Sequence, residues 1–270
     1  MKDNFIFIIN PISGKGKGKM IQKDIENYFS AKNINIEIHF TKYNNHATKL
    51  TKEALNKKPS VIVACGGDGT INEVAQVLVG TDIILGIIPI GSGNGLAANL
   101  NIPKNLYKAL DLILSKKTKT IDVGKINTSY FFSNVGFGID AFVIDAYSKS
   151  NNRNFVGYLK ASVKTVLKYK PQKFKISSTQ TEATEGLYYF LFCSNSNQAG
   201  YGISFTPNAK LNDGKLDLVL VKNINFIKQL KFTVFTLLKN INKMKEAEVK
   251  QITSLFLKSE TDKITAQIDG

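Results

Sequence analysis

Three short stretches rich in glycine, hydroxyl and amide side chains each follow an apolar run, and one of them carries a carboxylate. The central one is Gly66-Gly67-Asp68-Gly69-Thr70, directly after Val61-Ile62-Val63-Ala64-Cys65. Glycine accepts the positive φ of a tight turn and leaves room for a ligand where a Cβ would intrude. Asp68 among those glycines is placed to hold Mg²⁺, directly or through water. The earlier stretch is Asn10-Pro11-Ile12-Ser13-Gly14, which runs into Lys15-Gly16-Lys17-Gly18-Lys19. There the proline stops a strand, Ser13 can hydrogen-bond or cap, and the glycines free the backbone to meet an anion. Its spacing is not that of a P-loop, because no hydroxyl follows the lysine. The third stretch, Gly91-Ser92-Gly93-Asn94-Gly95, follows an apolar run over residues 83–90. Each alone is a common turn. Three at successive strand ends make a pocket of backbone N–H groups backed by helix N-termini, which favour phosphate. The chemistry implied is nucleotide-dependent phosphoryl transfer.

Such transfer also needs charge neutralisation and, for an alcohol acceptor, a base. Asp68 is the first candidate for the catalytic network. Asp122, in Ile121-Asp122-Val123-Gly124, is the second, with a plain turn role equally open to it. Asp269 is another acid at a turn. Glu73 stands one helical turn past Thr70 and is expected to cap the helix that starts near Ile71.

The elements that must position these residues alternate regularly at first. Strands are expected over residues 5–9, 34–40, 61–65 and 83–89, with Ile34, Ile36, Ile38 and Phe40 on one face of the second. Helices are expected over residues 19–32, 46–57, 71–79 and 106–115. Strands separated by helices of that length predict a parallel sheet with right-handed crossovers. Beyond about residue 122 short β-like segments take over, at residues 130–134, 173–178, 187–193, 216–221, 252–257 and 263–268. Two helical stretches interrupt them. The fold class expected is an α/β domain over residues 1–122, binding the nucleotide, and a mainly antiparallel β domain over 123–270, binding the acceptor.

The composition narrows the partners. Lysine and arginine number 36 against 21 acidic residues, a formal charge of +15, which favours an anionic surface or a nucleotide. Nucleic acid is not expected, since no aromatic–basic interleaving accompanies the charge. No stretch approaches the ~18 apolar residues of a membrane span. The first ten residues enter an apolar strand without a charged leader, so no signal peptide is expected. Cys65 and Cys193 sit alone in apolar runs and read as buried thiols, and with only His39 and His46 they make no zinc site. A cytoplasmic location is expected. Homodimer formation stays open.

The order of motifs resembles the diacylglycerol-kinase catalytic family, which includes bacterial lipid kinases, sphingosine kinases and ceramide kinases. The resemblance runs from Asn10-Pro11-x-Ser13-Gly14 through Gly66–Thr70 with Asn72-Glu73-Val74. It continues through Pro89-x-Gly91-Ser92-Gly93-Asn94, Asp122-Val123 and residues 136–140. It ends in Pro207-x-Ala209-x-Leu211-x-Asp213-Gly214-x-Leu216-Asp217, the element that separates lipid kinases from NAD kinases. The resemblance implies ATP, with its phosphates against Gly67, Asp68, Gly69, Thr70 and the loop Gly91-Ser92-Gly93-Asn94. It implies a catalytic Mg²⁺ network involving Asp68 and Asp122. It also implies a structural Mg²⁺ held by Asp213 and the backbone carbonyls of Lys210 and Lys215. The family often has an acid after the third-loop asparagine where this chain has Gly95, a form similar to the sphingosine-kinase loop. The family's general base, a glutamate directly after an Asp-Gly pair, would follow Gly270. The acceptor expected is a lipid hydroxyl, of diacylglycerol or a sphingoid base, reached from the cytoplasm at an anionic membrane surface. The rivals are an NAD-kinase-like enzyme and a non-catalytic nucleotide- or lipid-binding protein.

Two amphipathic stretches bear on that surface. Over residues 153–170, Lys160, Lys164 and Lys168 form a basic stripe, and Val156, Leu159, Val163 and Val166 an apolar one. A basic amphipathic helix can lie on anionic headgroups, but packing of the apolar stripe on the second domain is the favoured expectation. Residues 226–245 repeat the pattern through Ile227, Leu230, Val234, Leu237 and Ile241, again with core packing expected.

Overall fold

The computed structural model describes residues 4–150, 155–178, 180–260 and 264–269. Its contacts divide the chain into two compact units, Met1–Thr120 and Ile121–Gly270, so Asp122 is carried by the second.

The first unit is α/β. Its elements are β1 (Phe5–Ile9), α1 (Ser13–Ser30), β2 (Ile36–Phe40), α2 (His46–Leu55), β3 (Val61–Gly66), α3 (Asp68–Leu78), β4 (Ile84–Pro89), α4 (Gly95–Asn99) and α5 (Leu106–Ser115). All strands are parallel, in the order β2-β1-β3-β4. Central strands covered on both faces must be apolar throughout, and every residue of β1 and β3 is buried. Helix α1 docks Ile21, Ile25 and Phe29, spaced four apart, and the Phe29 ring lies 5.3 Å from Phe5 and 5.4 Å from Phe7. Helix α5 buries Ala109, Leu110 and Ile113 in the same core. Its first turn is capped by the Asn105 side chain, which accepts from the Lys108 N–H at 3.1 Å. The expected parallel alternation is the one found. The differences lie at the loops: α1 begins at Ser13 with a non-helical passage over Gly14, Lys15 and Gly16, and α3 begins at Asp68 rather than Ile71.

The second unit is built on antiparallel pairing. It contains β5 (Gly124–Ile126), β6 (Ser129–Phe131), β7 (Asn134–Gly138), α6 (Ile139–Ser148), α7 (Phe155–Val166), β8 (Gln172–Ser178) and β9 (Thr181–Ser194). After them come β10 (Leu216–Lys222), α8 (Phe226–Leu237), β11 (Ala247–Ile252), β12 (Phe256–Ser259) and β13 (Ala266–Ile268). The main sheet runs β11-β10-β9-β7-β13, and β8 joins β9 and carries β12. Strand β9 is long enough to serve two neighbours in turn. Its first half pairs with β8 from Thr181 to Tyr188, and its second half with β7 from Phe190 to Ser194. Alternation along it feeds two cores: Phe190 and Phe192 face helices α6 and α8, whereas Leu191 and Cys193 face the opposite side with Phe131 and Phe174.

Several sequence expectations are corrected in this unit. The segment expected over 252–257 is two strands, β11 and β12, separated at 253–255. The segment expected over 130–134 spans the break between β6 and β7. Helix α6 was not expected at all. Lys263, the first residue of the last expected strand, and Arg153, the first of the expected helix, lie outside the described residues. The apolar stripes of α7 and α8 do not pack inward: Val156, Leu159 and Val163, like Ile227, Leu230, Val234 and Leu237, are exposed. Their buried sides are narrow, Gly157 and Ala161 on α7 and Phe232 and Thr236 on α8, with Val166 and Ile241 the only stripe members turned to the core. No helix of the described residues is long and apolar enough to cross a membrane.

Candidate functional site

In a parallel sheet the loops that follow β1, β3 and β4 emerge on one edge, the edge where ligands bind in such folds. In the first unit those three loops touch. Ile90 and Gly91 both donate N–H bonds to the Gly66 carbonyl, at 3.0 and 3.2 Å. The backbones of Gly67 and Gly91 are in direct contact, so a Cβ on Gly91 would collide with the Gly67 Cα. Likewise a Cβ on Gly14 would strike the Ile90 carbonyl oxygen, and one on Gly66 the Thr70 side chain. Glycine at Gly14, Gly66 and Gly91 is therefore set by how closely the loops pack. Gly69, by contrast, opens onto free space.

Side chains then lock the loops. The Asn10 amide donates to Thr70 Oγ1 at 3.2 Å, and its carbonyl oxygen accepts from the Ile12 N–H at 3.2 Å, so one residue ties the first loop to the second. Asn94 takes the left-handed conformation and donates to the Gly91 carbonyl at 2.6 Å, closing the third loop on itself. Its Oδ1 is buried and has no hydrogen-bond partner among the described residues. The hydroxyls of Ser13 and Ser92 are uncommitted among the described residues. Asp68 sits in the first turn of α3, with Gly67 as the extended cap residue. The first four N–H groups of a helix have no partner within it, and their partial positive charge attracts anions. The structure thus brings Asn10, Ser13, Gly66, Gly67, Asp68, Gly69, Thr70, Gly91, Ser92, Gly93 and Asn94 to one sheet edge. Asn10 and Thr70 act there as braces.

Glu73 does not cap its own helix. Its carboxylate accepts the backbone N–H groups of Asn45 at 3.0 Å and Ala47 at 2.9 Å, and so caps α2, whose cap residue Asn45 makes no side-chain bond of its own.

The second unit holds the other acids. Asp122 is bound to the turn 210–217 at both ends: its N–H donates to the Leu211 carbonyl at 2.6 Å, and its Oδ2 accepts from the Gly214 N–H at 2.7 Å. Asp213 accepts from the Lys215 N–H at 3.1 Å through Oδ1, and Gln251 reaches its Oδ2 at 3.4 Å. Lys210 and Lys215, flanking it, are exposed. Burial, followed by the charge of Asp213, pushes the Asp217 carboxyl above its ordinary value. No three acid, histidine or cysteine side chains converge as a metal cluster among the described residues. The sequence did not single out Asn195, which is fully buried and donates to the carbonyls of Asp122 at 2.7 Å and Phe132 at 3.2 Å. The polar run Ser194-Asn195-Ser196-Asn197 straight after an apolar strand was the available signal.

Two further acids are structural anchors. Asp269 is a buried carboxylate that accepts the N–H groups of Phe132, Ser133 and Asn134 at 3.0, 2.7 and 3.0 Å, holding the entry to β7. Asp140 is buried at the start of α6, where Gln267 donates to it at 2.8 Å while also donating to Asn134 at 2.8 Å. Burial raises its carboxyl to about 6. Gly136 must lack a Cβ because Asp140 Oδ2 fills that space.

Comparison with known proteins gives a consistent picture. Residues 4–126 match the model of the diacylglycerol kinase catalytic domain. Residues 133–270 match that of the YegS C-terminal NAD kinase beta sandwich-like domain. A diacylglycerol kinase of Bacillus subtilis (strain 168) is 28% identical over 235 residues, covering 85% of this chain and 77% of that protein. One from Staphylococcus haemolyticus (strain JCSC1435) is 30% identical over 224 residues, covering 81% of this chain and 67% of the relative. Among solved structures, a diacylglycerol kinase from Bacillus anthracis str. Sterne superposes with a TM-score of 0.78 at 26% identity, covering all of this chain and 90% of that one.

Proposed function

The chain belongs to the diacylglycerol-kinase catalytic family of lipid kinases, and from that premise we propose that it transfers the γ-phosphate of ATP to a lipid hydroxyl. The acceptor is diacylglycerol or a related lipid such as a sphingoid base, in the service of phospholipid biosynthesis. The observation that carries this reading is the contact of the three glycine loops at one sheet edge. Backbone alone lines that edge where a Cβ would otherwise stand, and the first turn of α3 supplies N–H donors for a polyphosphate. Gly67, Gly69, Gly91, Ser92 and Gly93 lie against the phosphates, with Ser13 and the Asn94 Oδ1 as free polar groups beside them. The first unit is thus the nucleotide-binding domain and the second the acceptor domain.

Asp68 and Asp122 are the acids of the catalytic network. Asp213, with the backbone carbonyls of Lys210 and Lys215, forms a hard-oxygen set that suits a structural Mg²⁺, and Asp122 is hydrogen-bonded into the same turn. When bound, that metal would stiffen the turn. Asn195 holds Asp122 through its carbonyl, so the carboxylate keeps its direction. Catalysis is then mainly positioning and electrostatic stabilisation. The enzyme works from the cytoplasm as a peripheral protein. Both cysteines are buried and unpaired, as suits a reducing compartment.

The test is transfer of labelled γ-phosphate from ATP, with Mg²⁺, to diacylglycerol, monoacylglycerol, sphingosine and ceramide in mixed micelles. A labelled lipid is expected with the unaltered chain and none with Asp68→Ala, whose circular dichroism should be unchanged. Label on NAD(H) and on no lipid would overturn the reading, as would undiminished transfer by Asp68→Ala.

A further inference from the structure

Four large apolar side chains are exposed in the first unit among the described residues: Ile12, Met20, Tyr43 and Tyr107. Single exposed apolar residues are normal, but placement sets two of these apart. Met20 and Tyr107 lie on helices α1 and α5, whereas Ile12 and Tyr43 lie in the loops that follow β1 and β2.

The loop after β2 opens on the same edge as the glycine loops. Strand β2 runs parallel to β1 and pairs with it as far as Phe40, opposite Ile9. The Thr41 N–H then donates to the Ile9 carbonyl at 2.9 Å, just as the Asn10 N–H donates to the Cys65 carbonyl at 2.9 Å. Residues 41–45 therefore leave the sheet beside Asn10, which leaves it beside Gly66. Strands β2 and β3 stand two positions apart in the sheet, about 10 Å at ordinary strand spacing. A nucleotide whose phosphates lie at the loop after β3 carries its base over such a span.

Tyr43 is held in place. Its ring stacks on that of His46, with centroids 4.4 Å apart and planes at 26°. His46 is buried at the start of α2, and its Nδ1 accepts from the Lys42 N–H at 3.0 Å. Glu73 of α3 ties down the same turn by accepting the N–H groups of Asn45 and Ala47. With His46 against one side of the ring and 59% of Tyr43 exposed, the other side is open. A ring fixed in advance gives up little freedom when a planar group settles on it.

We propose that Tyr43, backed by His46, is the platform on which the base of the nucleotide stacks, with Ile12 of the adjoining loop adding apolar surface beside it. The ligand class is a nucleoside di- or triphosphate, and the proposal rests on the reading that the glycine loops hold its phosphates. Every base has a π-face, so adenine and guanine are both accepted. Single-ring bases cover less of the tyrosine and bind more weakly. Inorganic polyphosphate and a lipid acceptor bring no ring to stack, so their binding does not depend on Tyr43.

The test is calorimetric binding of ADP and of inorganic tripolyphosphate to the full chain, without any acceptor. Tyr43→Ala should weaken ADP binding roughly ten- to one hundred-fold and leave tripolyphosphate binding as it was. Tyr43→Phe should bind ADP like the parent, and Tyr107→Ala should change neither ligand. The chain has no tryptophan, so Tyr43→Trp gives a single reporter, which ADP should quench and tripolyphosphate should not. In transfer assays Tyr43→Ala should raise the KM for ATP far more than it lowers kcat. Parent-like ADP binding by Tyr43→Ala would overturn the proposal. So would an equal loss of tripolyphosphate binding, because Tyr43 would then be supporting the phosphate loops. An unaltered chain that holds tripolyphosphate as tightly as ADP would overturn it too, since no base site would exist. The kinase reading fails separately: a chain that stacks ADP on residue 43 but labels no lipid would sink transfer and leave the platform standing.

Discussion

The helices of the two units use their apolar residues in opposite ways. In the first, α1 and α5 turn theirs onto a parallel sheet whose central strands β1 and β3 are fully buried, and what remains outside is scattered, Met20 and Tyr107 among them. In the second, α7 and α8 bury small or few residues and leave their longest apolar side chains in the open. Helical periodicity is the same in both cases. The periodicity of a helix therefore says that it has an apolar side, and only its neighbours decide whether that side faces a core.

The sharpest way to press the comparison is at the loops of the first unit, where packing leaves no slack. Gly91→Ala must separate the backbones of Gly67 and Gly91. We expect phosphoryl transfer to fall by roughly 10³-fold or more, upwards of about 4 kcal/mol in the barrier. Thermal melting should show the unit still folded. Near-normal transfer would mean that the contact between the second and third loops does not position substrate.

Core deletion comes next. Phe29→Ala removes a fully buried ring that packs on Phe5 and Phe7, and should cost about 4 kcal/mol in urea unfolding. Leu230→Ala on α8 removes a side chain that is 54% exposed, and should stay within about 0.5 kcal/mol of the parent. A loss at Leu230 as large as that at Phe29 would break the comparison, because α8 would then have a partner in solution.

How much of this was legible follows from the range of each signal. The glycine loops, the strand–helix alternation and the parallel sheet are encoded within a few residues, and the sequence carried them. Helix α6 is apolar on nearly all sides, with Ile139, Ala141, Phe142, Val143, Ile144 and Ala146 in one stretch, so no period betrays it. The first half of β9 is polar and reads as loop, and β11 hides behind Glu248, Lys250 and Gln251. The outward faces of α7 and α8, the bracing of Asp122 by Asn195 and the anchoring by Asp269 depend on residues far away in sequence. No local pattern states them.

A pH measurement separates the units further. In the second, Asp140 is buried and its carboxyl is raised to about 6, against about 4 in an unfolded chain. The folded state keeps a proton that the unfolded state releases, so stability falls as pH rises from about 4 through about 6 and then levels off. The drop should be about 3 kcal/mol relative to Asp140→Asn, read from urea midpoints across that window. No difference in slope between the two chains would remove burial of Asp140 as its cause.

The smallest effect concerns capping, and it distinguishes a local device from a distant one. Helix α8 is capped within its own first turn, by Asn225 accepting from the Lys228 N–H at 3.1 Å. Helix α2 is capped from outside, by Glu73 of α3. Glu73→Ala and Asn225→Ala should each cost about 1 kcal/mol, but their hydrogen exchange should differ. Loss of Asn225 should speed exchange only at the start of α8. Loss of Glu73 should speed it at the start of α2, 26 residues away from the substitution. Faster exchange at the start of α3 instead would return Glu73 to capping its own helix, the role its position beside Thr70 first suggests.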